Sequence, residues 1–462
     1  MRALRSLGLV GVLVAAALVP ATTASAAGGG GAVCPVHALD TAKKPVEITF
    51  WHSHARSNEE VLESLVDRFE GENPDIDVKL VNQTTYPDTL DKYRAGLSTG
   101  DLPDVVQMEE TVVQSLVDSK STVPIGACAK ADKYPLDDFL PRAIEYFTLD
   151  GQLQAMPWTI SNPILYYDKA LFRKAGLDPE KPPATLDEVR EYSQKIVDSG
   201  AAPHGIALPA RDYLNEFFYA KAGQEYVNHG NGRKSRATKA LLDNKTGRAV
   251  WTWWKDMEDS GLLLNTGTNR ESIDHLLAMG NGDAAMTIEA SGGLGPVFDV
   301  LSTGQYDHVE PGVGPMPSLK PGGGVPVGDG ALWMAKASSP EKKAAAWKLV
   351  KFFSEPAQQA AFAIGSKGGY IPIRRSALDD PALQALWAEN PALRVPYDQL
   401  ESGPTNAATV GSVIGDYQGV RDAVAEGLTR MFAEGVSPKQ ALAGAQKQAD
   451  AAIQAYNDRL GV

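Results

Sequence analysis

The sequence predicts an α/β fold built around parallel sheet units. Three observations carry that prediction. Short apolar or alternating runs recur with amphipathic helical runs between them, the order that closes a parallel sheet through right-handed crossovers. Two helical runs open on the S/T-x-x-E pattern of a capping box, Ser57-Asn-Glu-Glu60 and Thr185-Leu-Asp-Glu188. A late apolar run, Gly330-Ala-Leu-Trp-Met334, is followed by Ser339-Pro340, so the chain makes one more strand and helix after an apparently complete second block.

The elements follow in order. Val46 to Trp51 alternates like a strand entering a sheet. After Ser57 come Val61, Leu62, Leu65, Val66 and Phe69 at helical spacing, and Asn73-Pro74-Asp75 stops the helix. Val78 to Val81 is a second strand, Thr89–Ser98 a helix and Asp104 to Met108 a third strand. A second block opens with a strand at Ile164–Tyr167 and a short helix from Asp168 to Gly176, a glycine suited to the C′ position. Val189, Tyr192, Ile196 and Val197 continue the helix that Thr185 opens. Trp251, Trp254 and Met257 mark a helix ending near Gly261. Asp283 to Ile288 is a buried strand, and Ser291-Gly-Gly leads into a helix. The remainder, Ala357 to Leu460, is mostly helical, with a second Ser-Pro start at Ser437-Pro438. No fixed-period repeat is present.

Composition narrows the function classes. A chain of 462 residues with 43% hydrophobic and 22% charged side chains has ordinary globular composition and length for two or three domains. Lys and Arg number 44 against 57 Asp and Glu, a net charge of −13, and no basic run stands out; this argues against nucleic acid as a partner.

Residues 1–27 have the form of a secretory signal: Arg2 and Arg5, an apolar stretch from Leu7 to Val19, and the small-x-small site Ala24-Ser25-Ala26. After it no apolar run approaches the roughly 18 residues of a membrane span. The mature chain is therefore expected to be exported and soluble, at the extracellular face of the cell membrane or in a periplasm. Its two cysteines, Cys34 and Cys128, are expected to pair, tying the N-terminal extension, 28–44, to the loop after Val123-Pro124. The rival, a lipid on Cys34, is disfavoured by Gly31-Ala32-Val33 before it and by its distance from the apolar stretch.

Several separated motifs carry a family resemblance: Phe50-Trp51-His52-Ser53, Tyr166-Tyr167-Asp168-Lys169, Leu171-Phe172-Arg173-Lys174-Ala175-Gly176-Leu177-Asp178-Pro179, Ala285-Met286-Thr287, Gly330-Ala331-Leu332-Trp333 and Gly369-Tyr370-Ile371-Pro372. In this order, from about Val46 to the C-terminus, the chain resembles the extracytoplasmic solute-binding proteins of ABC importers, in their sugar-binding cluster, and most of all the sn-glycerol-3-phosphate-binding branch. The resemblance implies two α/β lobes with a discontinuous layout, 45–157 with 318–355 and 158–317 with 356–462, and a ligand cleft between them. It also implies capture of glycerol 3-phosphate or a glycerophosphodiester, with a neutral sugar or oligosaccharide as the alternative. The partners it implies are the solute and the membrane permease subunits, with the protein itself a monomer and no cofactor.

The same resemblance implies ligand contacts at Tyr86, in the loop after the second strand, and at Glu110, Ser161, Ser291, Gly328 and Tyr370. Asp329 stands where the family usually has glycine, adding a carboxylate. Trp158 and the aromatic set Tyr213, Phe217, Phe218 and Tyr219 are candidates to stack on a sugar face or cage a quaternary ammonium. Ser291 before Gly292-Gly293 places a hydroxyl at a helix start suited to an anion, or to simple N-capping. The related proteins hold phosphate with an Arg in a late Gly-rich segment. The corresponding Gly411–Tyr417 has none, the nearest being Arg421 a turn further on. That departure points to a monoanionic diester such as glycerophosphocholine, or to an uncharged sugar, over glycerol 3-phosphate.

Other chemistries fit poorly. His52 and His54 share a strand face, but a zinc site needs three or four ligands. Glu109 and Glu110, adjacent in a strand, point to opposite faces, unlike a glycosidase pair. No nucleophile elbow is present, so a secreted hydrolase is only a distant alternative, and no catalysis and no metal are expected.

Overall fold

The computed structural model describes residues 33–269 and 272–462, and the expected signal, 1–27, lies outside the described residues. Val46–His52 forms the strand expected of it. Val46 and Ile48 are buried and Glu47 is exposed, until Phe50, Trp51 and His52 all become buried near the strand's end. It pairs in parallel with Ile76–Asn82 on one side and Val105–Glu109 on the other. The helix between the first two strands, Ser57–Glu72, buries Leu62, Leu65, Val66 and Phe69, the stripe its spacing predicts.

The late strand, Gly328–Ala335, does return to this sheet, antiparallel to Val105–Glu109 with Gly330 opposite Glu109. Met156–Ser161 and Thr122–Val123 pair with it in turn. The sheet is therefore parallel in its first part and mixed overall. The helix Pro340–Phe353 follows the returning strand, and the Ser339 side chain accepts from the Lys342 N–H at its start. A second sheet runs in the order Leu263–Asn265, His204–Leu208, Ala284–Ala290, Pro163–Asp168, Pro311–Pro315. Pro163–Asp168 is antiparallel to both its neighbours.

One residue separates the sheets where the chain first crosses: Met156–Ser161 belongs to the first and Pro163–Asp168 to the second, with Asn162 between them. Asn162 is fully buried and its polar groups are paired. Its Nδ2 donates to the Pro396 carbonyl at 2.9 Å, and its Oδ1 accepts from Gln399 Nε2 at 2.7 Å. Its carbonyl accepts from the Ser291 N–H at 2.9 Å.

Local expectations fare unevenly. The Thr185 capping box forms: its Oγ1 accepts from the Glu188 N–H and the Glu188 carboxylate accepts from the Thr185 N–H, both at 3.1 Å. The Ser57 box does not, because the helix begins one residue early; Arg56 takes the N-cap position and no side chain caps it. Tyr86 is not in a loop: it is the first residue of the helix Tyr86–Thr99, whose Thr85 cap accepts from Asp88 N–H. Cys34 and Cys128 form a disulfide, with Cα atoms 5.0 Å apart, and Cys128 sits in the helix Ile125–Asp132 rather than in a loop.

Trp158 is in the core. Its ring packs against Phe50, Phe353, Phe362 and His54, with centroids 4.9–5.9 Å apart. Burying each such side chain contributes about 1.5–3 kcal/mol.

Candidate functional site

A cavity of about 330 Å³ lies where loops and strand ends of both sheets meet. Five carboxylates line it, Glu109, Glu110, Asp212, Glu289 and Asp329, against two guanidiniums, Arg211 and Arg421. Aromatic surface comes from Tyr86, Tyr213 and Phe217. Tyr213 and Phe217 sit edge to face, centroids 5.9 Å apart and ring planes at 79°.

Arg421 reaches this cavity from the second turn of the helix Tyr417–Phe432. The expectation of no late arginine at the site is therefore corrected. The Gly-rich stretch ends at the helix start, and a residue one turn in points back over it toward the first sheet. Its Nη1 donates to Glu109 at 3.0 Å, and its Nη2 to Glu110 at 3.2 Å and to Glu216 at 2.6 Å. The opposite-face expectation for Glu109 and Glu110 fails too. The strand stops at Glu109 and a 3-10 turn begins at Glu110, so strand alternation no longer applies and both carboxylates meet one guanidinium. Burial pushes the Glu110 carboxyl well above its ordinary value; Arg421 opposes this, while Glu109, Glu216 and Asp329 add to it. Tyr417 donates to the far oxygen of Glu216 at 2.7 Å.

The second guanidinium is held similarly. Arg211 Nη1 donates to Glu289 at 2.9 Å, Tyr213 donates to the other oxygen at 2.8 Å, and His275 Nε2 lies 2.8 Å away. Burial alone would raise the Glu289 carboxyl. The hydrogen bond and charge of His275, the charge of Arg211 and the Ala290 N–H outweigh it and hold it at about 2. The Nε atoms of Arg211 and Arg421 are both buried and have no partner among the described residues.

Between these groups lies the Gly328–Ala335 strand's entry. Gly328 lines the cavity, and Asp329 follows with a φ of 65°, a left-handed backbone that few side chains adopt. Ser161, at the end of its own strand, donates its hydroxyl to Asp329 Oδ2. Burial pushes the Asp329 carboxyl up to about 7; Ser161 and Arg421 pull it down, and Glu109 and Glu289 push it further up. The Tyr86 hydroxyl accepts from Gln107 Nε2 at 3.0 Å.

Of the residues singled out from sequence, Tyr86, Glu110, Ser161, Gly328 and Asp329 share the cavity wall. Trp158, Ser291 and Tyr370 stand behind it. Ser291 is fully buried and donates its hydroxyl to the Gly369 carbonyl. The helix it was expected to cap starts later, at Leu294. Tyr370 packs its ring on Gly292, where a Cβ would lie 3.0 Å from it. Of the aromatic set only Tyr213 and Phe217 face the cavity, because Phe218 and Tyr219 lie on the other side of their helix. Phe218 packs on Trp253 and Trp254, and Tyr219 donates to the Leu242 carbonyl. Glu216, Arg211 and Glu289 escaped the sequence reading, since nothing local marks them. His52 and His54 stack with centroids 6.4 Å apart, and burial, then His52, holds His54 at about 3, so it is neutral. Among the described residues no three His, Cys, Asp or Glu side chains gather to hold a metal ion, and no helix is long and apolar enough to cross a membrane.

Comparison with known proteins places this geometry in context. Residues 64–394 match the family model described as bacterial extracellular solute-binding protein. The chain is 29% identical over 415 residues to the sn-glycerol-3-phosphate-binding periplasmic protein UgpB of Shigella flexneri, covering 87% of this chain and 92% of that protein. Its fold is similar to UgpB from Mycobacterium tuberculosis, solved with glycerophosphocholine, at a TM-score of 0.74 and 22% identity over 91% of this chain and all of that one. The GacH receptor of Streptomyces glaucescens, solved unliganded and with acarbose, is as similar, at 0.74 and 21% identity over 90% of this chain and all of that one.

Proposed function

We infer the function from one premise: the chain belongs to the bacterial extracellular solute-binding proteins, and is the solute-capturing component of an ABC importer. On that premise we propose that it binds glycerol 3-phosphate or a glycerophosphodiester, hands it to membrane permease subunits, and catalyses nothing. It does so outside the cell membrane, as an exported protein. The lobes are 45–157 with 318–355 and 158–317 with 356–462, and the solute lies between them. The sheet membership of Pro163–Asp168 and Gly328–Ala335 supports that division, while Met156–Ser161, which lies wholly in the first sheet, moves the first crossing from 157/158 to Asn162.

The observation that carries the ligand class is the pair of guanidiniums, Arg211 and Arg421, on the wall of one cavity. A phosphate oxygen is the acceptor that suits a guanidinium best. The hydroxyls of Tyr86 and Ser161 and the carboxylates of Glu110 and Asp329 line the same cavity, where glycerol hydroxyls find partners. The likeness to a protein named for glycerol 3-phosphate and to one solved with glycerophosphocholine points the same way.

A second reading, a neutral sugar, is favoured by the Tyr213–Phe217 pair on the wall and by an excess of carboxylates that accept sugar hydroxyls. A thermal-shift comparison decides between them. A ligand at 100 times its Kd adds about 2.7 kcal/mol of stability. Glycerophosphocholine, glycerol 3-phosphate or both are expected to raise Tm where maltose does not; a rise with maltose alone reverses the assignment.

A further inference from the structure

The turn Gly328-Asp329-Gly330 has a backbone that asks for glycine and a side chain that is not glycine. At a φ of 65° an L-residue carries a steric cost that glycine does not. Gly330 beside it leaves little room: a Cβ there would lie 2.6 Å from Thr159 Oγ1, 2.9 Å from Gln107 Nε2 and 3.1 Å from the Tyr86 hydroxyl, so those side chains would have to shift. The turn is therefore fixed against the cavity wall, and the Asp329 carboxylate is fixed with it, by the Ser161 hydroxyl on Oδ2. The carboxylate accepts from the buried Ser161 hydroxyl and also lines the cavity, where a solute would meet it.

That group alters the charge of the site. The groups that face Asp329 come from every element around it: Glu109 and Glu110 from the end of Val105–Glu109 and the turn after it, and Glu289 from Ala284–Ala290. Tyr86, Tyr166 and Tyr370 are near, and Arg421 reaches in from Tyr417–Phe432. Each cavity guanidinium is already matched by a carboxylate, Arg211 by Glu289 and Arg421 by Glu109, Glu110 and Glu216. Among the described residues Asp329 forms no ion pair, although Arg421 draws its carboxyl down, and when ionised it adds negative charge in excess.

We propose that Asp329 is the residue that sets the charge of the solute this cleft admits: a carboxylate held where the turn calls for glycine turns away a phosphate monoester dianion and selects a phosphodiester, including one that carries a cationic head group. The assignment rests on the glycerophosphate reading above and narrows it. The two arginines line the same cavity and supply the guanidinium donors a phosphate oxygen would meet. The second negative charge of a monoester would face the Asp329 carboxylate on the cavity wall, where like charges repel.

Calorimetry at pH 8 tests this, since a monoester is then a dianion (its second pKa is about 6) and a diester a monoanion. The wild-type protein is expected to bind glycerophosphocholine at least tenfold more tightly than glycerol 3-phosphate. Asp329→Gly, which relieves the backbone, and Asp329→Asn, which keeps the shape and suits a left-handed position, are both expected to raise glycerol 3-phosphate affinity at least tenfold. Heat denaturation of each variant verifies folding. A wild-type protein that binds the diester, with a diester-to-monoester ratio the same in all three proteins, overturns the role of Asp329 alone. A wild-type protein that gives heat only with a neutral disaccharide overturns both the role and the glycerophosphate reading beneath it.

Discussion

Replacing Arg421 with methionine would leave Glu109, Glu110 and Glu216 facing one another around an apolar side chain. Breaking a buried ion pair from one side typically costs about 3–5 kcal/mol, and here three carboxylates lose one shared partner. Arg421→Met is expected to lose stability of that order in a urea titration at pH 7, and to lose less at pH 4, where the freed carboxylates take up protons. Glu289 gives a second test through pH. Its folded-state value of about 2 lies below the ordinary value for Glu, about 4.3. A lowered carboxylate contributes stability that is present above the unfolded value and is lost as pH falls through the folded one. The wild-type protein is thus expected to lose stability between about pH 4.5 and 2 more steeply than Glu289→Gln, as read by denaturation midpoints across that range. A Gln variant with the same slope as the wild type would remove Glu289 from the account.

At the level of elements, the disulfide is the clearest lever. It joins residues 94 apart in sequence, linking the extension before the first strand to the helix Ile125–Asp132. Removing a native disulfide typically costs about 2–5 kcal/mol, so Cys128→Ser is expected to melt earlier by that equivalent, and reductant should lower the wild-type Tm but not the variant's. Elements were also the most legible level of the sequence. Strands such as Val46–His52 and helices such as Pro340–Phe353 announce themselves by apolar spacing and by caps that act within four residues. Boundaries were less so: Ser57 reads as a cap and is not one, because Arg56 takes that position in a backbone conformation no local pattern signals. The cavity divides along the same line. Tyr86, Glu110, Ser161, Gly328 and Asp329 could be picked out through resemblance at strand ends and turns. Arg211, Glu216, Glu289 and Arg421 become neighbours only when helices and strands of distant sequence pack, and no short motif encodes that meeting.

For the whole molecule, the proposed lobes are joined through short crossings, and a solute bound between two such lobes is expected to draw them together. Small-angle scattering with saturating glycerophosphocholine should give a smaller radius of gyration than the free protein; an unchanged radius argues for a cleft already shut. Where the chain bends in that motion follows from Asn162. Its side chain is tied to Pro396 and Gln399 and its carbonyl to the residue after the Ala284–Ala290 strand, all partners on the second-sheet side of the crossing. In the proposed closure the bend is thereby expected on the Ser161 side, with Asn162 moving with the second lobe. Amide exchange is the clock for this: the Ser291 proton, bonded to the Asn162 carbonyl, should exchange at one slow rate whether solute is present or absent, while protons of the Met156–Ser161 strand slow when solute arrives.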